Sequence, residues 1–374
     1  MTATATRRKT RSGMTVSAAT LSAALRSVAA AVPTRSPKPV LQNVLIRDGV
    51  ITATDLELRI TAPLEESRGH TLLLPFARLS QIVGSLVGTD DVTLAIDGTV
   101  CTVTGGSGEW KIPVEDAAEF PAAGYTSSDP IARLPSDQFV ALVNSVRFAT
   151  DNESSRFALG AVLIEWQRES GTLTFVGTDG RRLCAASAEI DQDTDDCQVL
   201  APRRVVDVLV RLCKGSDAIQ LERTASELIA TVDGVIVQAR LVEGRFPAWR
   251  DVEPTTDATP SLVVAGALLH AVRQAAICTS EDSKGVTLAI TDEGLWLHGQ
   301  SSSFGESSAT CGLVESGHAC TVKLDPRFVC EWLECGSIDP AETVCLTATD
   351  ADSAVVLSAS ETIRTVIMPL ARDA

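Results

Sequence analysis

Ten cysteines and four histidines are the side chains of this 374-residue chain best suited to metal binding or nucleophilic chemistry. Their spacing argues against both. No two cysteines form C-x-x-C; the closest pair, Cys330 and Cys335, has no histidine beside it, and His70, His270, His298 and His318 are scattered without zinc-ligand spacing. The chain has neither a G-x-x-x-x-G-K-[ST] phosphate loop nor a G-x-S-x-G nucleophile elbow, and Gly105-Gly106-Ser107-Gly108 reads as a turn. Carboxylates are abundant, but no pair of them stands out. The thiols read as small core residues in a reducing cytoplasm. No catalytic residue, metal or cofactor is expected. A cysteine nucleophile is the one enzymatic alternative, and nothing places a base near a thiol.

Charge bears on the remaining functions. The net charge is −16, which disfavours a protein that grips phosphates over most of its surface. A local basic face escapes that objection, because fields are screened over about 10 Å. Arg26, Arg78, Arg147, Arg203, Arg204, Arg211, Lys214, Arg273 and Arg327 all fall in helical segments, and Arg35 and Lys38 follow the first of these. Helices sharing one orientation would turn these residues into one basic surface on an acidic body. The plain alternative is an ordinary solvated helix face, which Glu331 and Glu334 favour on the last helix. Aromatic residues make up only 4 %, too few and too dispersed for a single-strand stacking platform.

The elements that carry these residues repeat. Phe120-Pro121, Phe246-Pro247 and Met368-Pro369 each close a strand-like run, with the prolines 126 and 122 residues apart. Amphipathic helices are expected at 17–32, 135–150 and 265–279, with Ser136 and Asp137 capping the second. A second helix per unit is expected to begin at or just after Pro75, Pro202 and Pro326, since proline suits the first helical turn. Short alternating strands fill the rest, including a hairpin turned by Asp233-Gly234. Two helices and about eight strands per unit give an α+β class with three domains, near 14–128, 129–255 and 256–374.

The N-terminus mimics a secretory signal, with Arg7, Arg8, Lys9 and Arg11 before an Ala-rich stretch. Arg26 interrupts that stretch and its periodicity is helical. Residues 1–13 read as a disordered basic tail, or as an upstream start before Met14. No run reaches the roughly 18 apolar residues of a membrane span, so no membrane association is expected.

Several motifs, in order, resemble one family. Val176-Gly177-Thr178-Asp179-Gly180-Arg181-Arg182-Leu183 is similar to the T-D-G-[HR]-R-L motif of the bacterial sliding clamp, the beta subunit of DNA polymerase III. Pro39–Leu45, Thr54–Leu58, Glu119–Pro121, Leu241–Pro247 and Val366–Leu370 occur in the family's order, so the resemblance spans about residues 14–370. It implies the DNA clamp fold, with three repeated clamp domains per chain, each two helices packed on antiparallel sheets, and a head-to-tail ring homodimer. Such a ring encircles double-stranded DNA without sequence preference and confers processivity on the replicative polymerase. Its partners would be the polymerase alpha subunit, the clamp loader, and repair and translesion polymerases, all bound through short linear peptides. The matching peptide pocket would be lined by Arg156, Leu159, Thr178, Gly180, Arg181, Arg182, Leu183, Pro247, Val252, Val366, Met368, Pro369 and Leu370. DNA-contacting positions would be Arg35, Arg78, Arg203 and Arg204, and Trp110 and Ile112 would meet Ile277 and Cys278 at the dimer seam. Asp251 departs from the family's usual arginine beside the pocket, Gln300–Ser308 is Ser- and Gly-rich where charged seam residues would be expected, and the first-domain edge has Glu109 and Lys111 rather than an arginine pair. A divergent paralogue, a peptide-binding scaffold with a weak ring, is the alternative these departures raise.

Overall fold

The computed structural model of the chain describes residues 13–370 apart from 87, 89, 123–126, 152–156, 253, 255–256 and 280–284. The basic tail expected at 1–13 therefore lies outside the described residues except for Gly13, which opens a strand, Gly13–Ser17. Met14 is buried in that strand and lies opposite Leu94.

Among the described residues six α-helices stand between the strands: α1 (Ala18–Val28), α2 (Phe76–Gly84), α3 (Ser136–Asn144), α4 (Arg203–Leu212), α5 (Ala265–Ala275) and α6 (Pro326–Leu333). They pack as α1 on α2, α3 on α4 and α5 on α6. The spacing of their apolar residues explains why: Leu21, Leu25 and Val28 on α1, and Phe139, Leu142 and Val143 on α3, form buried stripes at helical intervals. The first helix of each pair is shorter than its periodicity suggested. Each ends in a 3-10 turn, at Ala29–Ala31, Arg147–Ala149 and Ala276–Cys278.

One of the start signals needs correcting. Pro326 is the first residue of α6, with Asp325 Oδ1 accepting the Arg327 N–H at 3.0 Å. α2 and α4 begin just after their prolines, within the expected starts: Pro75 and Pro202 end the preceding strands and occupy the N-cap positions. The same holds for α3, where Pro135 sits in the N-cap position and Ser136 is the first helical residue. The Ser136 hydroxyl bonds that of Ser216 at 2.8 Å, so it is not a cap. Asp137 accepts the N–H of Gln138 at 2.8 Å. A strand that runs directly into a helix through proline leaves no loop residue to serve as a cap.

The described residues form two compact units, one running to Asp129 and taking in Gln220–Arg240, the other holding Pro130–Ile219 and the chain from Leu241 onward. In the first, the strands Thr71–Pro75, Asn43–Arg47, Val50–Thr54, Leu58–Pro63, Val235–Arg240 and Glu227–Val232 run side by side in that order. Asp233 and Gly234 turn the last two, with φ of 47° and 78°, as a two-residue hairpin of the mirror-image type requires. In the second unit eight strands form one antiparallel sheet: Cys197–Pro202, Ala161–Gln167, Thr172–Thr178, Arg182–Glu189, Ile363–Ile367, Val355–Ser358, Thr343–Thr347 and Ser261–Val264. Thus a strand of the middle repeat pairs with the last strand of the chain, Leu183 opposite Val366.

Each unit also holds a four-stranded sheet. Gly108–Pro113 is an outer strand of one, and Gly305–Cys311 is an outer strand of the other. The turn expected at Gly105–Gly108 joins the last two strands of the first of these sheets.

Glycine marks where helix ends press on strands. A Cβ on Gly177 would lie 2.3 Å from the Val146 carbonyl oxygen, and one on Gly299 would lie 2.0 Å from that of Ala275. Both contacts follow the first helix of a repeat, and both oppose rigid backbone. Gly177→Ala is therefore expected to cost about 2 kcal/mol through overpacking. A lowered urea midpoint at unchanged slope checks this; an unchanged midpoint contradicts the close approach.

Candidate functional site

The turn that resembles the family motif is built from side chains bonding their own backbone. Thr178 Oγ1 accepts the Gly180 N–H at 3.1 Å and donates to the Arg182 carbonyl at 2.6 Å. Asp179 Oδ1 accepts the N–H groups of Arg181 and Arg182 at 2.9 and 3.0 Å. Gly180 takes φ of +85°, the left-handed conformation glycine adopts without strain. The Thr-Asp-Gly order is thus what folds the turn.

Beyond the turn the strand alternates, so Arg182 and Leu183 face opposite sides of the sheet. This corrects the expectation for Arg182. Its side chain is only 7 % exposed and is fully engaged on the side away from Leu183. The guanidinium reaches Asp179 at 3.1 Å, Glu331 of α6 at 2.5 Å and the Phe148 carbonyl at 3.0 Å. It also stacks over the rings of Phe148 and Phe328, at 5.2 and 4.5 Å from their centroids. Arg182 staples the turn to α6; it does not line an apolar pocket.

On the other side, Leu183 and Val366 are buried in one cluster with Leu163, Val176, Leu200, Phe246 and Trp249, with half-buried Ala354 and Val356 packed against it. Leu159 is buried, as is Thr178. Around this floor stand exposed side chains: Arg181, Pro247, Val252 and Met368. Pro369 and Leu370 are half-buried. Met368 is fixed by its N–H to the Arg181 carbonyl at 2.9 Å, and Leu370 by its N–H to that of Lys323 at 2.8 Å. Arg156 lies outside the described residues.

A cavity of about 440 Å³ opens beside the segment Gly244–Asp251, over Leu163, Gln198 and Leu200. Only Pro247 of the expected lining borders it. Its neighbour Glu165 is a carboxylate buried in an apolar strand, held by Gln198 and by Arg250 at 2.5 Å, and Arg250 stacks on Trp249 at 4.2 Å. A charge at the fifth position of the run Ala161-Val162-Leu163-Ile164-Glu165 was the available signal, since a buried carboxylate demands partners.

The basic residues gather less cleanly. In the second unit a cleft of about 660 Å³ is bordered by Arg147, Arg203, Arg211 and Lys214, but also by Asp207, Glu331 and Glu334. Asp207 holds Arg147 and lies 3.9 Å from Arg203, Glu331 is held by Arg182, and Glu334 pairs with Arg273. With those acids engaged, Arg211 and Lys214 add positive charge to the cleft. Arg204 is exposed, as are Arg35 and Arg78 in the first unit, where Arg78 bonds Gln81 at 3.2 Å.

Of the expected seam residues, Ile277 is 74 % exposed and Cys278 half-buried. Trp110 lies on the outer strand Gly108–Pro113, its ring folded over Gly108, where a Cβ would meet it at 2.2 Å. Ile112, on the same strand, is buried within its own unit and has little surface to offer a partner.

All ten cysteines are free thiols. Burial pushes Cys184 up to about 12 and Cys101 and Cys330 up to about 11, which withdraws the thiolate that nucleophilic chemistry needs. Among the described residues no group of three or more His, Cys, Asp or Glu is placed to hold a metal ion. No helix among them is long and apolar enough to cross a membrane.

Comparison with known proteins agrees with this geometry. Residues 13–124 match the family model of the DNA polymerase III beta subunit N-terminal domain, and residues 133–248 that of its central domain. The beta sliding clamp of Proteus mirabilis is 27 % identical over 357 residues, covering 92 % of this chain and 96 % of that one. That of Escherichia coli is 26 % identical over 356 residues with the same coverage. Among solved structures, the sliding clamp of Pseudomonas aeruginosa bound to griselimycin aligns with a TM-score of 0.89 at 23 % identity, over 97 % of this chain and 100 % of that one. The Bacillus subtilis sliding clamp aligns with a TM-score of 0.89 at 19 % identity, with the same coverage.

Replacing Arg182 by methionine keeps bulk against the two rings but strands the Phe148 carbonyl and frees Glu331. A loss of about 3 kcal/mol is expected, as for a broken buried ion pair. Thermal unfolding of Arg182→Met checks it; an unshifted transition would show that the staple carries no stability.

Proposed function

Because the chain belongs to the DNA polymerase III beta-subunit family, the sliding clamps, we propose that it forms a head-to-tail ring dimer that encircles duplex DNA and slides along it. The ring tethers the replicative polymerase and other replication and repair proteins, is not itself an enzyme, and works in the cytoplasm. Three domains, 14–128, 129–255 and 256–374, build each half.

The observation that carries this reading is the pair of four-stranded sheets with outer strands Gly108–Pro113 and Gly305–Cys311. A strand edge left unpaired invites another chain. Joining the first of these strands in one copy to the second in another copy makes an eight-stranded sheet like the one already complete inside the chain. Such a joint is heterologous, and two of them close a ring. Exposed Ile277, beside the second edge, supplies apolar contact there.

A ring holds DNA by topology, so the chemistry inside it need only be weak and indifferent to sequence. Arg35, Arg78, Arg203 and Arg204 would touch phosphates, while the −16 net charge keeps the rest of the surface from competing. The apolar floor of Leu183 and Val366, rimmed by Pro247, Val252 and Met368, would receive a short peptide from each partner. Met368 suits such a rim because its thioether side chain adapts to different ligands. The buried Ile112 and the Ser-rich Gln300–Ser308 stretch, whose single charge is Glu306, favour one variant of this reading, a clamp-like scaffold whose ring is weak.

Topological holding has a direct test. Loaded onto a nicked circular plasmid by the clamp-loading complex of its organism, the protein is expected to stay on the circle at about 0.5 M salt, where phosphate contacts fail. Cutting the circle once should then release it. Loss from the intact circle at that salt, or equal retention on linear DNA, would contradict the ring.

A further inference from the structure

The turn of the second repeat has a geometric twin in the first. Thr54 Oγ1 accepts the Leu56 N–H at 3.0 Å, as Thr178 Oγ1 accepts that of Gly180 at 3.1 Å. Asp55 Oδ1 accepts the N–H groups of Glu57 and Leu58 at 3.0 and 2.8 Å, as Asp179 does for Arg181 and Arg182. Leu56 takes φ of 83° against 85° at Gly180. The neighbouring strand joins identically: the Arg240 N–H meets the Glu57 carbonyl at 2.9 Å, and the Met368 N–H meets that of Arg181 at 2.9 Å. Leucine in the left-handed region is strained, and Leu56 is 47 % exposed, so no burial offsets the strain.

The twins differ in the floor. Thr178 pairs with Leu183, which pairs with Val366. At the same register Thr54 pairs with Arg59, which pairs with Gln238. Arg59 is not idle. Its Nη2 donates to the carbonyls of Pro121 and Ala122, at 2.8 and 3.2 Å, and its guanidinium lies 5.9 Å from the centre of the buried Phe120 ring. Burial lowers its affinity for a proton, with Glu227 opposing. Phe120-Pro121 holds the place in the first repeat that Phe246-Pro247 holds in the second. In the second repeat the residue at this floor position is leucine, which has no donor for the segment above it.

We propose that the first junction is a second copy of the peptide site, held shut by Arg59, whose bonds draw the Phe120–Ala122 segment down onto the floor. The ligand class it excludes is the short apolar peptide. The proposal rests on reading the second junction as the peptide pocket. It explains how a repeated architecture presents one site per chain, with the choice made by a single floor residue.

Two measurements test it on the full-length dimer. Arg59→Leu removes two charge-assisted hydrogen bonds, so backbone amides of Ala117–Phe120 are expected to exchange with deuterium at least about tenfold faster. Unchanged exchange would overturn the latch whatever the peptide results, and Arg59→Met guards against a folding defect peculiar to leucine. The second arm uses the tightest binder from a fluorescent pentapeptide library with Leu, Met and Phe varied at each position, selected on the unmodified chain. Arg59→Leu combined with Gln238→Val copies the Leu183–Val366 floor and should raise the stoichiometry from one peptide per chain to two. Stoichiometry remaining at one would overturn the proposal. Adding Met368→Lys should remove only the original site, leaving one. If Met368→Lys alone leaves binding to the unmodified chain intact, the pocket reading fails, while exchange at Ala117–Phe120 still decides the latch.

Discussion

A β-strand at the edge of a sheet carries a row of backbone groups with no partner, and the whole architecture follows from where the chain supplies one. Leu58–Pro63 receives Val235–Arg240, and Arg182–Glu189 receives Ile363–Ile367, in each case a strand from about 180 residues further along the chain. These long-range pairings carry one repeat's sheet into the next. They also create the sites, because the strand that completes the sheet brings its following residues to the turn beside it. Met368 reaches the turn, its N–H on the Arg181 carbonyl, because Ile363–Ile367 is paired with the strand Arg182–Glu189. Among the described residues the two four-stranded sheets lack such a partner.

Repetition fixes geometry and leaves chemistry free. Threonine and aspartate build the same turn twice, with matching hydrogen bonds and matching φ. The two repeats then differ at the next floor position. Leucine in one repeat leaves an apolar surface, and arginine in the other spends its charge on the carbonyls of an adjacent segment. Arg182 gives a further role to a guanidinium in the same neighbourhood. Facing the opposite side of the sheet from Leu183, it ties the turn to α6 and pairs with Glu331, one of the acids that border the basic cleft.

Much of this was legible in the sequence, for physical reasons that differ by element. The helices were legible because their buried faces recur at 3.6 residues, as in Leu21, Leu25 and Val28. The hairpin at Asp233-Gly234 was legible because a left-handed backbone restricts the choice of residue. The cap of the second repeat's first helix misled, because Pro135 closes a strand into that helix and Ser136 spends its hydroxyl on Ser216. The Arg182 staple was not legible, because its partners Phe148, Phe328 and Glu331 are distant in sequence and only the alternation of the strand separates it from Leu183. The cavity beside Trp249 escaped for the same reason, since Leu163, Gln198 and Leu200 meet across paired strands. Arg59 was hidden differently: the Thr-Asp motifs align by eye, but the floor residue lies four positions beyond the aspartate, where the two repeats no longer share a residue type.

The open edges of the two four-stranded sheets are the point on which the proposed ring stands, and solution mass reads them directly. Light scattering on the purified protein at micromolar concentration should return twice the chain mass of 39.4 kDa, because each copy completes two sheets in the other. A mass of 39.4 kDa at that concentration would contradict the ring and leave the chain a peptide-binding scaffold with its edges exposed.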